Sequence, residues 1–118
     1  MSKRVLIADD SGAMLKIGAM VLGKLGLTVL TATDGNEAVQ KAVAEKPDII
    51  LLDAEMPELD GWGACMEIRK TMPTVPILMC TGHDLTGEEG QLKEAGANGF
   101  ISKPYNPASM EEKLKPYL

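Results

Sequence analysis

Acidic, hydroxyl and basic side chains stand where four separate apolar runs of the chain end. Asp9 and Asp10 follow the first run, Asp53 the second, Thr81 the third and Lys103 the fourth. Short Ile- and Leu-rich runs are typical of buried strands in a parallel sheet. The carboxyl ends of such strands open on one edge, where α/β folds bind ligands. We therefore expect three carboxylates, one hydroxyl and one ammonium to converge there.

This combination of groups favours phosphoryl chemistry. Clustered carboxylates repel one another and raise one another's pKa. Mg²⁺ relieves that repulsion because it takes oxygen ligands, and Lys103 adds a second positive charge. Such a site is suited to a phosphoryl group, whose transition-state charge both cations neutralise. Asp53 is then the candidate nucleophile, forming an aspartyl-phosphate, and Thr81 a donor to a phosphate oxygen.

Each of these residues also has a purely structural interpretation. Asp9 and Asp10 can serve as a turn and helix cap, and Asp53 as a solvated acid at a strand end. Lys103 can be a surface lysine, and Thr81 can cap its strand. Complementary charge from four independent loops at one edge is hard to explain by chance, so we favour the functional interpretation.

The rest of the chain alternates between strand and helix patterns. Strands are predicted at 5–8, 28–32, 49–52, 75–80 and 99–102, with helices from about 13, 35, 61, 86 and 107. Helical spacing predicts that the first helix packs through Met14, Ile17, Val21, Leu22 and Leu25, the second through Ala38, Val39, Ala42 and Val43, and the third through Ala64, Cys65 and Ile68. Short connections and right-handed crossovers then give an α/β doubly wound parallel sheet with helices on both faces.

Helix-start signals differ in strength along the chain. Asp34 precedes Glu37 by three residues, and Asn106 stands directly before Pro107. The fourth helix has capping-box spacing from Thr86 to Glu89, but Gly87 and Gly90 weaken it, so we expect it to be short or frayed.

Composition narrows the function classes. The 118 residues fit one domain, 1–118, and carry a formal net charge of −5 without a basic stripe, so we expect no direct nucleic-acid binding. Cys65 and Cys80 lack metal-type spacing and are expected to be buried thiols in a reducing compartment. The sequence shows no secretory signal and no membrane span, which predicts a cytoplasmic location.

The chain resembles the receiver domain of two-component response regulators, close to the CheY-like chemotaxis type. The matching motifs are Asp9-Asp10, Asp53 within Leu-Leu-Asp-Ala-Glu-Met-Pro, Asp60-Gly61, Thr81-Gly82, Gly96-Ala97 before Gly99-Phe100, and Lys103-Pro104. They cover essentially the whole chain in order.

The resemblance implies a three-layer, flavodoxin-like fold of five strands in the order 2-1-3-4-5 with five helices. It implies phosphorylation of Asp53 by a sensor histidine kinase or phosphotransfer domain. Mg²⁺ would be held by Asp10, Asp53 and the backbone carbonyl of Glu55, with Asp9 acting through water. Lys103 and Pro104 would be joined by a cis peptide bond.

The resemblance also implies an output mechanism. Thr81 would move toward the phosphate and Phe100 inward, changing the partner preference of the face made by helix four, strand five and helix five. The target would be a separate protein or a fused effector domain, and the protein a monomer or a weak dimer through that face. Such a protein is a phosphoacceptor that assists its own phosphorylation and dephosphorylation, and is not a metabolic enzyme.

Three positions depart from the chemotaxis pattern or flank the site. Phe100 stands where chemotaxis relatives commonly have Tyr, so an output through a phenolic hydroxyl is absent. Glu55 and His83 lie two residues beyond Asp53 and Thr81, where family members tune the lifetime of the phosphoryl group. The direction of the Glu55 effect stays open, and His83 is expected to face solvent.

Three alternative functions share parts of this pattern. A haloacid-dehalogenase phosphatase needs an Asp-x-Asp pattern after strand one, whereas Asp9 and Asp10 are adjacent. A flavodoxin needs a hydroxyl-rich phosphate loop there, which these acids would repel. A pseudo-receiver that binds partners without phosphorylation is the main alternative, although the acids and Lys103 are intact.

Overall fold

The computed structural model describes residues 3–82 and 87–118, and their elements alternate as predicted. The strands are β1 (Arg4–Ala8), β2 (Thr28–Ala32), β3 (Ile49–Asp53), β4 (Ile77–Thr81) and β5 (Gly99–Ser102). The helices are α1 (Gly12–Lys24), α2 (Gly35–Glu45), α3 (Gly61–Thr71), α4 (Glu89–Ala95) and α5 (Pro107–Leu114), followed by a 3-10 turn (Lys115–Tyr117).

All strand pairs are parallel, and the sheet order β2-β1-β3-β4-β5 confirms the predicted fold class. Every residue of β3 and β4 is buried, which explains their nearly unbroken aliphatic sequences. The edge strand β2 is partly exposed and accordingly contains two threonines. The sheet therefore brings the ends of β1, β3, β4 and β5 to one edge.

Two apolar layers lie on opposite faces of the sheet. One layer packs α2, α3 and α4 against strand residues such as Leu6, Leu52 and Met79. The other packs α1 and α5 against the alternate residues, such as Ile7 and Leu51. Because successive strand side chains point to opposite faces, both layers are built from the same strands.

Two predicted core positions are wrong. Ile17 and Val43 are 42% and 43% exposed. In α1 the buried face is formed by Gly18, Val21 and Leu22, and Ile17 lies on its margin. The apolar periodicity identified the correct helices but extended the buried stripe by one position on each.

Several element boundaries also differ from prediction. Ser11 caps α1, so the helix begins at Gly12 and ends at Lys24, before Gly26, whose φ is +83°. β4 begins at Ile77, two residues later than predicted, because the preceding Pro76 has no amide hydrogen to donate.

The helix-start predictions have mixed outcomes. Asp34 accepts a hydrogen bond from the Glu37 amide, while the Glu37 carboxylate bonds Thr33 instead of closing a capping box. Asn106 caps α5 as predicted. α4 is short, as expected, and its first flanking residue, Glu88, makes no side-chain cap. The predicted cap Thr86 and the loop residue His83 lie outside the described residues.

Candidate functional site

An open cleft of about 760 Å³ lies at the carboxyl edge of the sheet. That volume is many times the roughly 30 Å³ of a water molecule, so the cleft has room for a phosphoryl group with solvent. The structure brings together in its lining the predicted site residues of the four loops: Asp9, Asp10, Asp53, Glu55, Thr81 and Lys103.

Lys103 links two of the three acids. Its Nζ lies 2.8 Å from Asp9 Oδ2 and 3.0 Å from Asp53 Oδ1. The Lys103 backbone is fixed as well, because its amide donates to the Thr81 carbonyl at 2.8 Å. The ammonium is therefore held between two carboxylates at the end of the sheet.

The three acids differ in exposure. Asp9 is fully buried, and its Oδ1 accepts the Ser11 amide at 2.9 Å. Asp53 is nearly buried, whereas Asp10 is exposed. Each offers a carboxylate oxygen, and these oxygens lie within 4.8 Å of one another.

This donor set fits a hard divalent cation. Mg²⁺ prefers oxygen ligands and keeps several waters, and the open side of the cleft at Asp10 leaves room for them. Asp9 Oδ2 is buried and contacts Lys103 Nζ at 2.8 Å, and a carboxylate oxygen has a second lone pair that can accept from such a water.

Asp53 is positioned by the start of α3 as well as by β3. A Cβ on Gly61 would lie 2.1 Å from the Asp53 carbonyl oxygen, so only glycine permits this approach. Asp60 caps the helix by accepting the Gly63 amide at 2.8 Å. Asp60 and Gly61 together therefore start α3 in close contact with the end of β3, where Asp53 lies.

The electrostatics make Asp53 an unusually basic carboxylate. Burial raises the pKa of Asp53 to about 6, with a contribution from the Asp9 charge, while Lys103 and the Glu55 amide partly offset this. Burial acts to lower the pKa of Lys103, but its bonds to Asp9 and Asp53 outweigh burial and raise it. Lys103 therefore stays positively charged, and it lies beside a carboxylate, Asp53, whose ionised form is destabilised by burial.

The remaining predicted residues take distinct places. Thr81 is buried at the end of β4 and lines the cleft. Glu55 is exposed on the rim, and its amide donates to Asp53 Oδ1 at 3.2 Å. Phe100 lies outside the cleft lining, half-buried, with Lys113 Nζ 4.9 Å from its ring centroid. The Lys103–Pro104 peptide bond is cis.

Sequence reasoning missed two residues of the cleft. Ser11 caps α1 and fixes Asp9, a role that an Asp-Asp-Ser-Gly turn before a helix could have indicated. Trp62, the only tryptophan of the chain, also lines the cleft. No local pattern marks Trp62, because its place depends on how α3 packs.

The two cysteines are free and buried, as predicted. Burial raises the pKa of Cys65 to about 11 and that of Cys80 to about 12. Both are therefore protonated, unreactive thiols of the core.

Comparison with known proteins places this arrangement in a family. The model of the response regulator receiver domain matches residues 5–115. The alkaline phosphatase synthesis transcriptional regulatory protein PhoP of Bacillus subtilis is 36% identical over the whole chain, which covers 49% of PhoP. The chemotaxis protein CheY of Thermotoga maritima is 39% identical over 97% of the chain and 96% of CheY.

A solved structure agrees with these sequence relatives. The receiver domain of the sensor histidine kinase PA1611 from Pseudomonas aeruginosa, with a magnesium ion in its active-site cleft, superposes with a TM-score of 0.89 at 30% identity. The match covers 99% of this chain and 98% of that one. The chain spans about half the length of PhoP and of the probable transcriptional regulator ycf27 of Guillardia theta, and nearly all of CheY.

No described helix has the length and hydropathy of a membrane span. The family match, the relatives and the acidic cluster at the sheet edge agree with one another, and the chain belongs to the response regulator receiver domains, the signalling modules of two-component systems.

Proposed function

We propose that Asp53 accepts a phosphoryl group from the phosphohistidine of a sensor histidine kinase or phosphotransfer domain. The observation that carries this proposal is the position of Lys103 Nζ, 3.0 Å from Asp53 Oδ1 in an open cleft, with the carboxylates of Asp9 and Asp10 beside Asp53. A carboxylate so placed faces a cleft that a donor can enter and has a cation ready for the oxygens of the incoming group.

In the transfer, an Asp53 carboxylate oxygen attacks phosphorus as the bond from phosphorus to the donor nitrogen breaks. The donor imidazole leaves with the electron pair of that bond, and Asp53 becomes an aspartyl-phosphate. Lys103 pairs with the phosphoryl oxygens as a fixed cation, and Thr81 donates its hydroxyl to one of them. The raised pKa of Asp53 accords with a carboxylate that gains by sharing its charge.

Mg²⁺ is the proposed cofactor, and Asp10, Asp53 and the carbonyl of Glu55 are its proposed ligands, with Asp9 acting through water. When bound, the ion neutralises the charge of the acids and of the phosphoryl oxygens. The magnesium-bound receiver domain of PA1611 supports the assignment by analogy.

The proposed output is a shift between two packings of the face formed by α4, β5 and α5. Movement of Thr81 toward the phosphate would free space into which Phe100 turns. Phe100 is half-buried against the apolar layer of α2, α3 and α4. Its ring is therefore partly exposed in this structure and can become more buried when it turns inward. The partner would be a downstream protein or a fused effector domain. The receiver domain itself would be a monomer, or a weak dimer through this face, in the cytoplasm.

Acetyl phosphate with Mg²⁺, followed by intact mass measurement, tests the proposal. Wild type is expected to gain one phosphoryl group, and Asp53→Asn none. A gain that persists in Asp53→Asn would refute Asp53 as the acceptor. No gain in wild type would instead support a pseudo-receiver that binds partners without phosphorylation.

A further inference from the structure

The side chain of Tyr105, two residues after Lys103, lies in a notch of α1 at Gly18. Tyr105 is only 6% exposed. Its ring edge lies against Gly18, where an added Cβ would be 3.1 Å from Tyr105 Cε2, 3.2 Å from Tyr105 Cδ2 and 2.5 Å from Ile7 Cδ1. Gly18 is itself buried, so the Tyr105 ring and the end of the Ile7 side chain together occupy the space that any side chain at position 18 would need.

The phenol hydroxyl does not account for this placement. Tyr105 Oη is buried, and its polar contact is with the thiol of Cys80, a weak hydrogen-bonding group, and not with an oxygen or nitrogen of the described residues. Burial also raises the pKa of Tyr105, so the hydroxyl stays neutral. The ring and its shape therefore hold the residue in place, and the hydroxyl adds a desolvation cost.

Two contacts fix the loop that carries Lys103, one at Lys103 itself and one two residues later. The Lys103 amide is bonded to the Thr81 carbonyl, and Tyr105, two residues later, is held by α1. α1 is also the helix that follows Asp9, and its cap Ser11 fixes the Asp9 carboxylate. The notch thus connects Lys103 to the same helix that orients one of its two acidic partners.

We propose that Gly18 and Tyr105 are positioning residues that set the place of the Lys103 ammonium relative to Asp53. This inference rests on the proposed phosphorylation of Asp53. A shift of the Tyr105 ring by a few tenths of an ångström would move the loop and lengthen the 3.0 Å contact of Lys103 with Asp53. Catalysis by positioned charge is sensitive to such displacements.

Gly18→Ala is the test variant, and Gly23→Ala is its matched control. Both glycines lie within α1, and alanine improves helix propensity at either one, but a Cβ on Gly23 meets nothing within 4 Å. We expect Gly18→Ala to slow phosphorylation by acetyl phosphate about three- to tenfold. Gly23→Ala is expected to keep the wild-type rate.

Two further readouts separate positioning from a merely structural effect. Mg²⁺ affinity, followed by Trp62 fluorescence, should be unchanged in Gly18→Ala, because the proposed ligands do not include Lys103. In a Lys103→Ala background, Gly18→Ala should cause no additional loss of rate, since its effect passes through Lys103.

Tyr105 variants provide a route that does not depend on Gly18. Tyr105→Phe keeps the ring and should keep the rate, whereas Tyr105→Leu should lose it to a similar extent as Gly18→Ala. Equal rates for Gly18→Ala and Gly23→Ala, or full additivity with Lys103→Ala, would overturn the inference. A wild type that takes up no phosphoryl group would instead count against the proposed function itself.

Discussion

The acid edge, meaning the carboxyl edge of the sheet with Asp9, Asp10, Asp53 and Lys103, is built in the opposite way to α4. At the acid edge, Lys103 makes two ion pairs and a backbone bond, and Asp9 is fully buried. α4 has seven residues, no side-chain cap at Glu88, and only Leu92 and Ala95 buried. One region is fixed on several sides, and the other is attached along a single narrow stripe.

α4 is attached most firmly at its carboxyl end. Arg69 of α3 donates to the Gly96 carbonyl at 2.8 Å, to Asn98 Oδ1 at 2.9 Å and to the Met72 carbonyl at 3.0 Å. Asn98 Oδ1 also accepts the Ile77 amide, so this network reaches β4. Chemistry needs a fixed geometry, whereas a signal needs an element that moves at low cost, and the proposed function would divide these demands between the two regions.

Removing the Arg69 anchor should have the largest effect on this contrast. Arg69→Met loses three hydrogen bonds and leaves acceptors unpaired, so we expect the free energy of unfolding to fall by roughly 3 kcal/mol. Amide exchange over 89–95 should rise while Mg²⁺ affinity is retained. The control Lys70→Met removes only an exposed ion pair with Glu67 and should change stability by less than about 0.5 kcal/mol. Unchanged exchange over 89–95 in Arg69→Met would contradict the anchor.

Mg²⁺ should stabilise the acid edge. It relieves carboxylate repulsion and binds only the folded chain, which is worth about 2.7 kcal/mol at a hundredfold excess over Kd. Thermal melts with Mg²⁺ and with a chelator measure the effect, and Asp10→Asn should reduce it. A melting temperature indifferent to Mg²⁺ in wild type would count against the metal site.

Asp53→Asn should stabilise the chelated protein by about 1–2 kcal/mol at neutral pH. Burial raises the folded pKa of Asp53 from 3.8 to about 6, so the folded state binds more protons than the unfolded state between these values. Stability should therefore fall as pH rises through this window, and Asn removes that dependence. Urea titrations at several pH values measure it, with the exposed-site variant Glu112→Gln as control. A wild type that gains stability between pH 4 and 6 relative to Asp53→Asn would reverse the sign.

Helix caps provide the smallest and most local comparison. Asp34→Ala removes the cap of α2 and should cost about 1 kcal/mol, whereas Glu88→Asp supplies a capping residue to α4 and should gain a few tenths. Denaturant unfolding measures both changes. If capping α4 also slowed its amide exchange without changing exchange at the acid edge, the two regions would be energetically separate.

The same contrast limited what the sequence alone could predict. Strand order, the Asp34 and Asn106 caps and the short α4 followed from local signals or from the family resemblance. The exposure of Ile17, the Arg69 network and the notch at Gly18 did not, because they depend on contacts between elements far apart in sequence. The predicted site residues do line one cleft, since the strand ends of a parallel sheet share an edge. Which of the acids is buried and which is exposed could not be predicted, because it depends on how the loops and helices pack around them.

Beryllofluoride provides a further test of α4 as the moving element. On addition with Mg²⁺, amide protection over 87–95 should change while protection of β3 stays the same. Unchanged protection over 87–95 would leave α4 as a loosely held surface helix without a switching role.

The most direct test of the central claim is the position of the phosphoryl group itself. After incubation with acetyl phosphate and Mg²⁺, borohydride reduction converts an acyl phosphate to an alcohol, and peptide mapping then locates it. We predict a single modified residue, Asp53, with no modification at Asp9, Asp10 or Asp60. Modification at one of those acids instead of Asp53, or none in the wild-type chain, would contradict the account.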